Sequence, residues 1–154
     1  FNLVGVQDIV SHIRVPAGVL GQYVPDVAHM ADIKKGLAVA RVLGALDVGQ
    51  AVVVQQGLVL GVEGVEGTDA LIARCASYKR AGPAPVLVKC VKPQQDRALD
   101  LPTIGPDTLK NCAVAGFAGV AVEAHYTLVA DIGATVACAD AARLFLTGVD
   151  SHEP

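Results

Sequence analysis

Short runs of consecutive apolar residues recur along this chain, and segments with helical patterning separate them. Three of these runs have the length of a strand and are rich in valine or alanine: Gln50–Gln55, Val86–Val91 and Val120–Ala124. We predict a last strand over Phe145–Val149. Strands that are apolar almost throughout are typical of a sheet that helices cover on both faces. We therefore predict an α/β fold, with a single compact domain, a mixed sheet and helices packed on its faces.

The intervening segments carry the capping residues of helices. We predict helices that begin at Asp32, Thr68, Asp107 or Thr108, and Thr135, and that end near Gly44, Arg80, Ala115 and Leu144. Gln56–Gly57 has the pattern of a tight hairpin turn into a second strand, Leu58–Val62, and Thr127–Ala130 has the pattern of a further short strand.

Prolines and glycines interrupt the first part of the chain, so we expect residues 1–31 to form a connecting segment between domains. The folded domain is then expected over residues 32–150, followed by a tail over residues 151–154. The chain begins at Phe1 and shows no signal-peptide pattern, so we expect it to be a fragment of a longer protein.

Composition and charge exclude several classes of protein. The net charge is −3 and no basic stripe is present, which argues against nucleic-acid binding. No apolar run reaches the roughly 18 residues that a membrane-spanning helix needs. The four cysteines are widely spaced, without a Cys-x-x-Cys pair or a Cys/His cluster, so we expect reduced thiols in a cytoplasmic protein.

The most polar stretch is Lys92–Thr108, which holds three carboxylates, two cations, two hydroxyl groups and three prolines. Prolines fix the backbone dihedral φ and lack the backbone N–H donor, so a loop of this composition holds its side chains in place. Asp96 and Asp100 are a carboxylate pair of the kind that binds magnesium, which takes oxygen ligands and commonly uses one or two protein carboxylates. Asp96 and Asp100 could instead form salt bridges to Arg97 and Lys92. Asp107 is a third candidate ligand of the cation, and its alternative role is to cap a helix.

Two further groups of polar residues follow predicted strands, where ligands bind in open α/β sheets. Glu66-Gly67-Thr68-Asp69 precedes a helix, whose first N–H groups and dipole suit an anion, although Thr68 and Asp69 also have the pattern of a simple cap. Lys89 and Lys92 flank the end of an apolar strand and are candidates to bind phosphate oxygens. The alternative is that both are ordinary solvated lysines.

Several of these motifs together resemble a known family, the carboxy-terminal domain of the LpxI enzymes. The resemblance covers residues 14–149, and its most specific part is the run Asp100-Leu101-Pro102-Thr103-Ile104-Gly105-Pro106-Asp107-Thr108. Its other segments occur in the same order as in the family: Gln50–Val54, Glu66–Ala70, Lys89–Lys92, Gln95–Asp96 and Ala121–Ala124. The chain departs from the family pattern at Gln94 and His125, where glycine is usual.

The resemblance implies a magnesium-dependent hydrolase that cleaves the pyrophosphate bond of UDP-2,3-diacylglucosamine in lipid A biosynthesis. The products would be UMP and 2,3-diacylglucosamine 1-phosphate. The family also implies an amino-terminal Rossmann-like domain, with substrate between the two domains. We further expect a homodimer in the cytoplasm that makes transient peripheral contact with the inner membrane.

The resemblance gives roles to individual residues of this chain. Asp96 and Asp100 are the expected catalytic residues and the expected ligands of Mg2+. The expected substrate-binding residues are Thr68, Asp69, Lys89, Lys92, Gln95, Thr103, Gly105 and Glu123. The alternative function is a non-catalytic module that binds a nucleotide or an acyl lipid and acts with a separate domain.

Overall fold

The computed structural model describes residues 12–92 and 101–150, and it confirms the predicted α/β class. The described residues form nine strands and four helices in the following chain order: β1 His12–Arg14, β2 Gly18–Val19, α1 Val27–Ala45, β3 Ala51–Gln55, β4 Leu58–Val62, α2 Thr68–Ala76, β5 Val86–Lys89, β6 Thr103–Ile104, α3 Pro106–Ala115, β7 Gly119–Glu123, β8 Leu128–Ala130, α4 Ile132–Ala141 and β9 Phe145–Val149.

Six strands form the main sheet in the order β2-β9-β7-β5-β3-β4, and β1, β8 and β6 form a small second sheet. The three central strands β9, β7 and β5 are parallel, and β3 joins β5 antiparallel with Ala51 opposite Lys89. The strand β4 returns from β3 through the predicted hairpin turn. The carboxyl ends of β5, β7 and β9 therefore lie along one edge of the sheet, beside the start of β3.

Alternate residues of each central strand enter two separate cores. Val53, Leu87 and Leu146 pack in the core beneath α2, α3 and α4, whereas Val52 and Val88 pack in the core beneath α1. Successive side chains of a strand point to opposite faces, so strands that are apolar at every position need helices on both sides. Each fully buried Val or Leu side chain contributes roughly 1.5–3 kcal/mol, which favours this covered sheet over an open one.

Helix α1 lies close to the sheet because a glycine faces β5. A Cβ atom on Gly36 would lie only 2.6 Å from Val88 Cγ2. The helix begins at Val27, and Asp26 caps it by accepting a hydrogen bond from the His29 backbone N–H at 2.8 Å. The prediction that Asp32 caps this helix was therefore wrong, and Asp32 lies inside it.

Helix α2 ends at Ala76, four residues before the predicted end at Arg80. The reason is a buried side chain in the neighbouring strand. Gln55 accepts a hydrogen bond from the Arg80 N–H at 2.8 Å and donates to the carbonyls of Arg80 and Pro83 at 2.8 and 2.9 Å. These long-range hydrogen bonds hold residues 80–83 against the end of β3 and away from a helical path.

The segment expected to connect two domains contributes strands to the sheets. β1 pairs antiparallel with β8, and β2 pairs antiparallel with β9. Strand β6, inside the proline-rich stretch, was also not predicted, because two-residue strands leave no periodicity to read. The division of the chain at residues 31 and 150 stays a prediction.

The described cysteines are free thiols, as the wide spacing of the four cysteines predicted. Among the helices that the structure describes, none combines the length and the hydropathy that crossing a bilayer requires.

The position of Asp32 leads to a prediction about stability. Its carboxylate is 4% exposed and accepts hydrogen bonds from the backbone N–H groups of Gln56 and Gly57, at 3.0 and 2.8 Å. These bonds tie α1 to the hairpin turn, and hydrogen bonds to a charged acceptor are the stronger kind. We expect Asp32→Ala to lower the free energy of unfolding in urea by about 2–3 kcal/mol.

Asp47→Asn is the control, because Asp47 is exposed and pairs with Lys92 at the surface, and because asparagine tolerates its φ of 57°. A surface ion pair contributes about 1 kcal/mol or less. Equal losses for the two variants would contradict the role assigned to Asp32.

Candidate functional site

A cavity of about 350 Å3 lies at the carboxyl end of β5, where α2 and α3 both begin. We call it the anion cavity. Polar residues from four elements and the turn before α2 line it: Glu66, Gly67, Thr68, Asp69, Lys89, Thr103, Asp107 and Thr108. It joins three regions that are far apart in the sequence, and in doing so it brings together the predicted residues Thr68, Asp69, Lys89 and Thr103.

Lys89 is the buried cation of this cavity, with 7% of its surface exposed. It is the last residue of β5 and lies on the same face of the strand as Leu87, which packs beneath α2 and α3. Its Nζ donates a hydrogen bond to the Thr103 carbonyl at 3.3 Å. Burial lowers the pKa of Lys89, and the negative charges of Glu63 and Asp69 oppose that shift.

The start of α2 supplies backbone donors to the cavity wall. Gly67 is the N-cap residue, with φ of 91°, a conformation that favours glycine, and no side chain caps the helix. Thr68 does not act as the cap that its sequence position allows. Its hydroxyl instead donates to Glu63 Oε2 at 2.8 Å, and Glu63 Oε1 accepts from the Gln50 N–H at 2.7 Å.

The start of α3 has a similar character. Gly105 is the N-cap residue, Pro106 occupies the first turn, and the Gly105 N–H donates to the Thr108 hydroxyl at 3.3 Å. The predicted caps Asp107 and Thr108 thus lie in the first turn and line the cavity. A helix N-terminus carries a partial positive charge, so two of them beside Lys89 favour a bound anion.

Two of the three carboxylates that line the cavity are held by other side chains. Glu66 pairs with Arg74, with a distance of 2.6 Å between Oε1 and Nη2, and the hydrogen bond from Arg74 lowers the pKa of Glu66. Asp69 accepts a hydrogen bond from Asn111 Nδ2 at 3.2 Å, which links α2 to α3. Beneath them the Cys112 thiol is buried, and burial raises its pKa to about 12.

Three of the predicted binding residues that the structure describes do not line this cavity. Lys92 pairs with Asp47, with 2.8 Å between Nζ and Oδ1. Glu123 is buried on the opposite face of the sheet from Lys89, because Ala121, two residues before Glu123, packs beneath α1. The Oε1 atom of Glu123 accepts a hydrogen bond from the Val91 N–H at 2.9 Å. Gly105 caps α3 next to the lining residues.

Gln95, Asp96 and Asp100 lie outside the described residues, so their predicted roles stay predictions. Over residues 12–92 and 101–150, no group of three or more His, Cys, Asp or Glu side chains is arranged to hold a metal ion.

Sequence reasoning missed Glu63 as the residue that fixes Thr68 and interpreted Asp107 only as a cap or a cation ligand. Glu63 directly follows β4 and precedes the Glu66–Asp69 motif, and this position at a strand end was the available signal.

The sequence was compared with known proteins. The family model described as the LpxI C-terminal domain matches residues 16–147. The UDP-2,3-diacylglucosamine pyrophosphatase LpxI of Caulobacter vibrioides is 46% identical over 159 residues. That alignment covers 99% of this chain and 57% of the relative, so the chain spans little more than half of the relative's length.

The burial of Lys89 leads to a prediction about pH dependence. Its pKa is lower in the folded chain than its ordinary value of 10.5, so between these two values the unfolded chain binds more protons. The free energy of unfolding then rises with pH over that interval, while below it the cost of burying the charge is present in full. We expect this rise in the parent chain.

The comparison variant is Lys89→Met, which lacks the titrating group. Urea unfolding at a series of pH values from about 8 to 10.5 measures both proteins. The free energy of unfolding of the parent chain minus that of Lys89→Met should increase with pH. A constant difference would contradict a lowered Lys89 pKa.

Proposed function

The chain belongs to the LpxI C-terminal domain family, as its motifs predicted, and from this premise we propose that it forms the phosphate-binding part of a UDP-2,3-diacylglucosamine pyrophosphatase. The reaction is hydrolysis of the pyrophosphate bond in lipid A biosynthesis, with UMP and 2,3-diacylglucosamine 1-phosphate as products. The observation that carries the proposal is the anion cavity, where Lys89 lies between the N-termini of α2 and α3.

The cavity suits one phosphate group of such a substrate. Lys89 supplies a buried amine that is positively charged when protonated, and the hydroxyl groups of Thr68 and Thr108 supply polar contacts at the wall. Electrostatic attraction is stronger where water is excluded, so a buried lysine acts on a phosphate more strongly than a solvated one. A bound phosphate would in turn offset the cost of burying the Lys89 charge.

Cleavage of a pyrophosphate requires an oriented water and neutralisation of the charge that moves onto the leaving phosphate. The water oxygen forms a bond to one phosphorus, the bond from that phosphorus to the bridging oxygen breaks, and the bridging oxygen leaves with the other phosphate. We assign Asp96 to accept the proton of the water or to bind the metal, with Asp100 as the second carboxylate. Asp100 precedes the cavity residue Thr103 by only three positions in the sequence.

The donor chemistry around the cavity fits Mg2+. The lining residues Asp69 and Asp107 are carboxylates and Thr68, Thr103 and Thr108 carry hydroxyl groups, and magnesium takes such oxygen ligands together with substrate phosphate. We propose Asp96 and Asp100 as the protein ligands, which agrees with a metal that commonly uses one or two carboxylates. When bound, Mg2+ would neutralise charge on the phosphate oxygens. Lys89 and the two helix N-termini hold the phosphate on the protein side.

The remaining parts of the assembly are also proposals. The relative is longer than the region it shares with this chain, which supports a further domain. We propose that this is an amino-terminal Rossmann-like domain, with the substrate between the two domains. We further propose a homodimer that acts in the cytoplasm and contacts the inner membrane transiently to take up its lipid substrate. Lys92, Gln95, Gly105 and Glu123 stay proposed substrate contacts in that assembly.

The role of Lys89 gives a prediction for anion binding. We expect Lys89→Met to weaken binding of inorganic pyrophosphate by about tenfold or more, the loss typical of removing a charged hydrogen-bond donor. Isothermal titration calorimetry measures the affinity. Lys35→Met is the control, because Lys35 contacts the Gly57 carbonyl at the opposite edge of the sheet. Unchanged binding by Lys89→Met would show that the phosphate binds elsewhere.

The catalytic assignment gives a prediction for turnover. UMP release from UDP-2,3-diacylglucosamine is measured on this chain and on the intact protein that carries it, with Mg2+ and with EDTA. We expect EDTA to abolish release, and Asp96→Asn and Asp100→Asn to lower kcat by about 100-fold or more. Asp140→Asn is the control, since Asp140 accepts a hydrogen bond from Gln22 on the surface.

Three results are informative in different ways. Turnover by this chain alone would place every catalytic group within its residues. Pyrophosphate binding without turnover by this chain, with an active intact protein, would support the alternative of a binding module that acts with a separate domain. Full activity of Asp96→Asn in the intact protein would overturn the role of Asp96.

A further inference from the structure

Glu63 is a carboxylate beside the anion cavity for which the proposed binding of phosphate has no role. It directly follows β4 and is not among the residues that line the cavity. The Glu63 backbone N–H donates to the Ala51 carbonyl at 2.9 Å, and Ala51 lies opposite Lys89 in the next pair of strands. Glu63, Ala51 and Lys89 therefore form one row across three neighbouring strands.

The side chains of this row lie on one face of the sheet, because residues opposite each other in paired strands point the same way. Ala51 belongs to the core beneath α2, α3 and α4, so this is the face on which Lys89 lies. Neighbouring strands are about 4.8 Å apart, which places the two ends of the row about 10 Å apart at the backbone. The small side chain of Ala51 leaves the long side chains of Glu63 and Lys89 room to approach each other above it.

Two neutral donors hold the Glu63 carboxylate in place. Its Oε1 accepts a hydrogen bond from the Gln50 N–H at 2.7 Å, and its Oε2 accepts one from the Thr68 hydroxyl at 2.8 Å. A Cβ atom on Gly49 would collide with the Glu63 carbonyl, so the backbone is closely packed there as well. Because neither donor carries a charge, the negative charge of Glu63 is fixed in position without being neutralised by them.

The charge of Glu63 acts on Lys89, which is buried. Burial lowers the pKa of Lys89, and Glu63 is first among the charges that oppose this shift, ahead of Asp69 on α2. Asp69 is exposed, so solvent and salt screen its charge. On α3 the Cys112 thiol, whose pKa is raised to about 12 by burial, is uncharged at neutral pH. Glu63 is therefore the main negative charge that favours the ammonium form of Lys89.

The other charges at the cavity do not replace Glu63 in this respect. Glu66 pairs with Arg74 across 2.6 Å, so a positive charge accompanies it. Asp107 lies in the first turn of α3, where the partial positive charge of the helix N-terminus offsets its own. The N-termini of α2 and α3 disfavour a second positive charge between them, which adds to the cost of the Lys89 ammonium.

The Lys89 ammonium can interact with Glu63 and still bind an anion. It has three N–H bonds, and the hydrogen bond to the Thr103 carbonyl at 3.3 Å uses one of them. The Glu63 oxygens accept from Gln50 and Thr68, so the attraction between Glu63 and Lys89 acts through space. This arrangement leaves N–H bonds of Lys89 for a phosphate, whereas a contact ion pair would occupy them.

We propose that Glu63 is a positioning residue for phosphate binding, whose fixed carboxylate holds Lys89 in its charged form at neutral and mildly alkaline pH. The inference rests on the proposed function, because the charge of Lys89 serves a phosphate bound in the anion cavity. Glu63 acts through Lys89 and does not touch that phosphate. Since it lies outside the cavity lining, its repulsion of the phosphate is weaker than the attraction exerted by Lys89.

The test compares pyrophosphate binding by Glu63→Gln and by the parent chain, using calorimetry from about pH 7 to about pH 9.5. Glutamine has the same size, and its amide can accept from the Gln50 N–H and donate to the Thr68 hydroxyl oxygen, so the substitution removes the charge and keeps both contacts. We expect the variant to bind no more weakly than the parent at neutral pH. Its affinity relative to the parent should then fall about threefold or more across this range, because Lys89 loses its proton at lower pH. The protonation of pyrophosphate affects both proteins equally and cancels in the ratio.

Two further variants make this result specific. Asp140→Asn is the control for loss of a negative charge, because Asp140 lies on the surface near the C-terminal end of α4, and its affinity relative to the parent should stay constant with pH. Glu63→Gln is also combined with Lys89→Met. The pH-dependent part of the Glu63→Gln effect should disappear in that background, because the group on which Glu63 acts is absent. A purely structural role of Glu63 would weaken binding in both backgrounds alike.

The outcomes separate this inference from the proposed function. A constant affinity ratio of Glu63→Gln to the parent over the pH range, or the same pH-dependent loss in the Lys89→Met background, would overturn the role of Glu63. Weaker binding by Lys89→Met in the same series would still support the proposed function. If Lys89→Met binds pyrophosphate as the parent does, the proposed function fails and the inference fails with it.

Thermal unfolding shows whether Glu63→Gln folds. If it does not, nitrogen-15 NMR of the lysine side chains in the parent chain provides the test, with the Lys89 signal assigned by its loss in Lys89→Met. A charged Lys89 ammonium at neutral pH is the expected result. A neutral amine at that pH would overturn the inference.

Discussion

The burial of β5 on both faces is the constraint on which the rest of the structure depends. Leu87 faces α2 and α3, and Val88 faces α1, so the strand has no side exposed to water. The first charged side chain of such a strand must come where the sheet ends, and it needs polar partners there. Lys89 is that residue. The carbonyl of Thr103 and the carboxylates near the helix starts supply its partners.

The same constraint explains why the helices begin where they do. The start of α2 follows β4 and the start of α3 follows β6, and both N-termini reach the edge that holds Lys89. The glycine caps Gly67 and Gly105 provide no side-chain acceptor for the first N–H groups. Three sources of positive potential therefore converge on one cavity, and two of its three carboxylates, Glu66 and Asp69, are held by Arg74 and Asn111. This arrangement is the basis on which we propose that the cavity binds a phosphate.

Much of the fold could be predicted from the sequence, and each exception has a physical cause. The bounds of β4 and β9 and the end of α3 match the predicted ones, because hydrophobic pattern and local turn residues determine them. The start of α1, the end of α2 and both ends of α4 do not match, and α4 spans Ile132–Ala141 instead of Thr135–Leu144. Asp32 and Gln55 form hydrogen bonds to residues more than twenty positions away, and no local pattern shows such partners. The caps Asp26 and Asp131 instead accept hydrogen bonds from the N–H groups three residues further on, and the prediction overlooked these local caps.

In the candidate site, too, local sequence determined some features and contacts between distant residues determined the others. The sequence by itself determined the α/β class, the family and the polar segments that follow the strands, because these depend on periodicity, composition and motif spacing along the chain. Only the tertiary structure decided which polar residues meet. Lys89 and Glu123 both end apolar strands, but their side chains lie on opposite faces, so Lys89 joins Thr68, Asp69 and Thr103 while Glu123 bonds the backbone of Val91. The face on which a strand-end residue lies depends on strand register and on the helix that covers it, and both are properties of distant contacts.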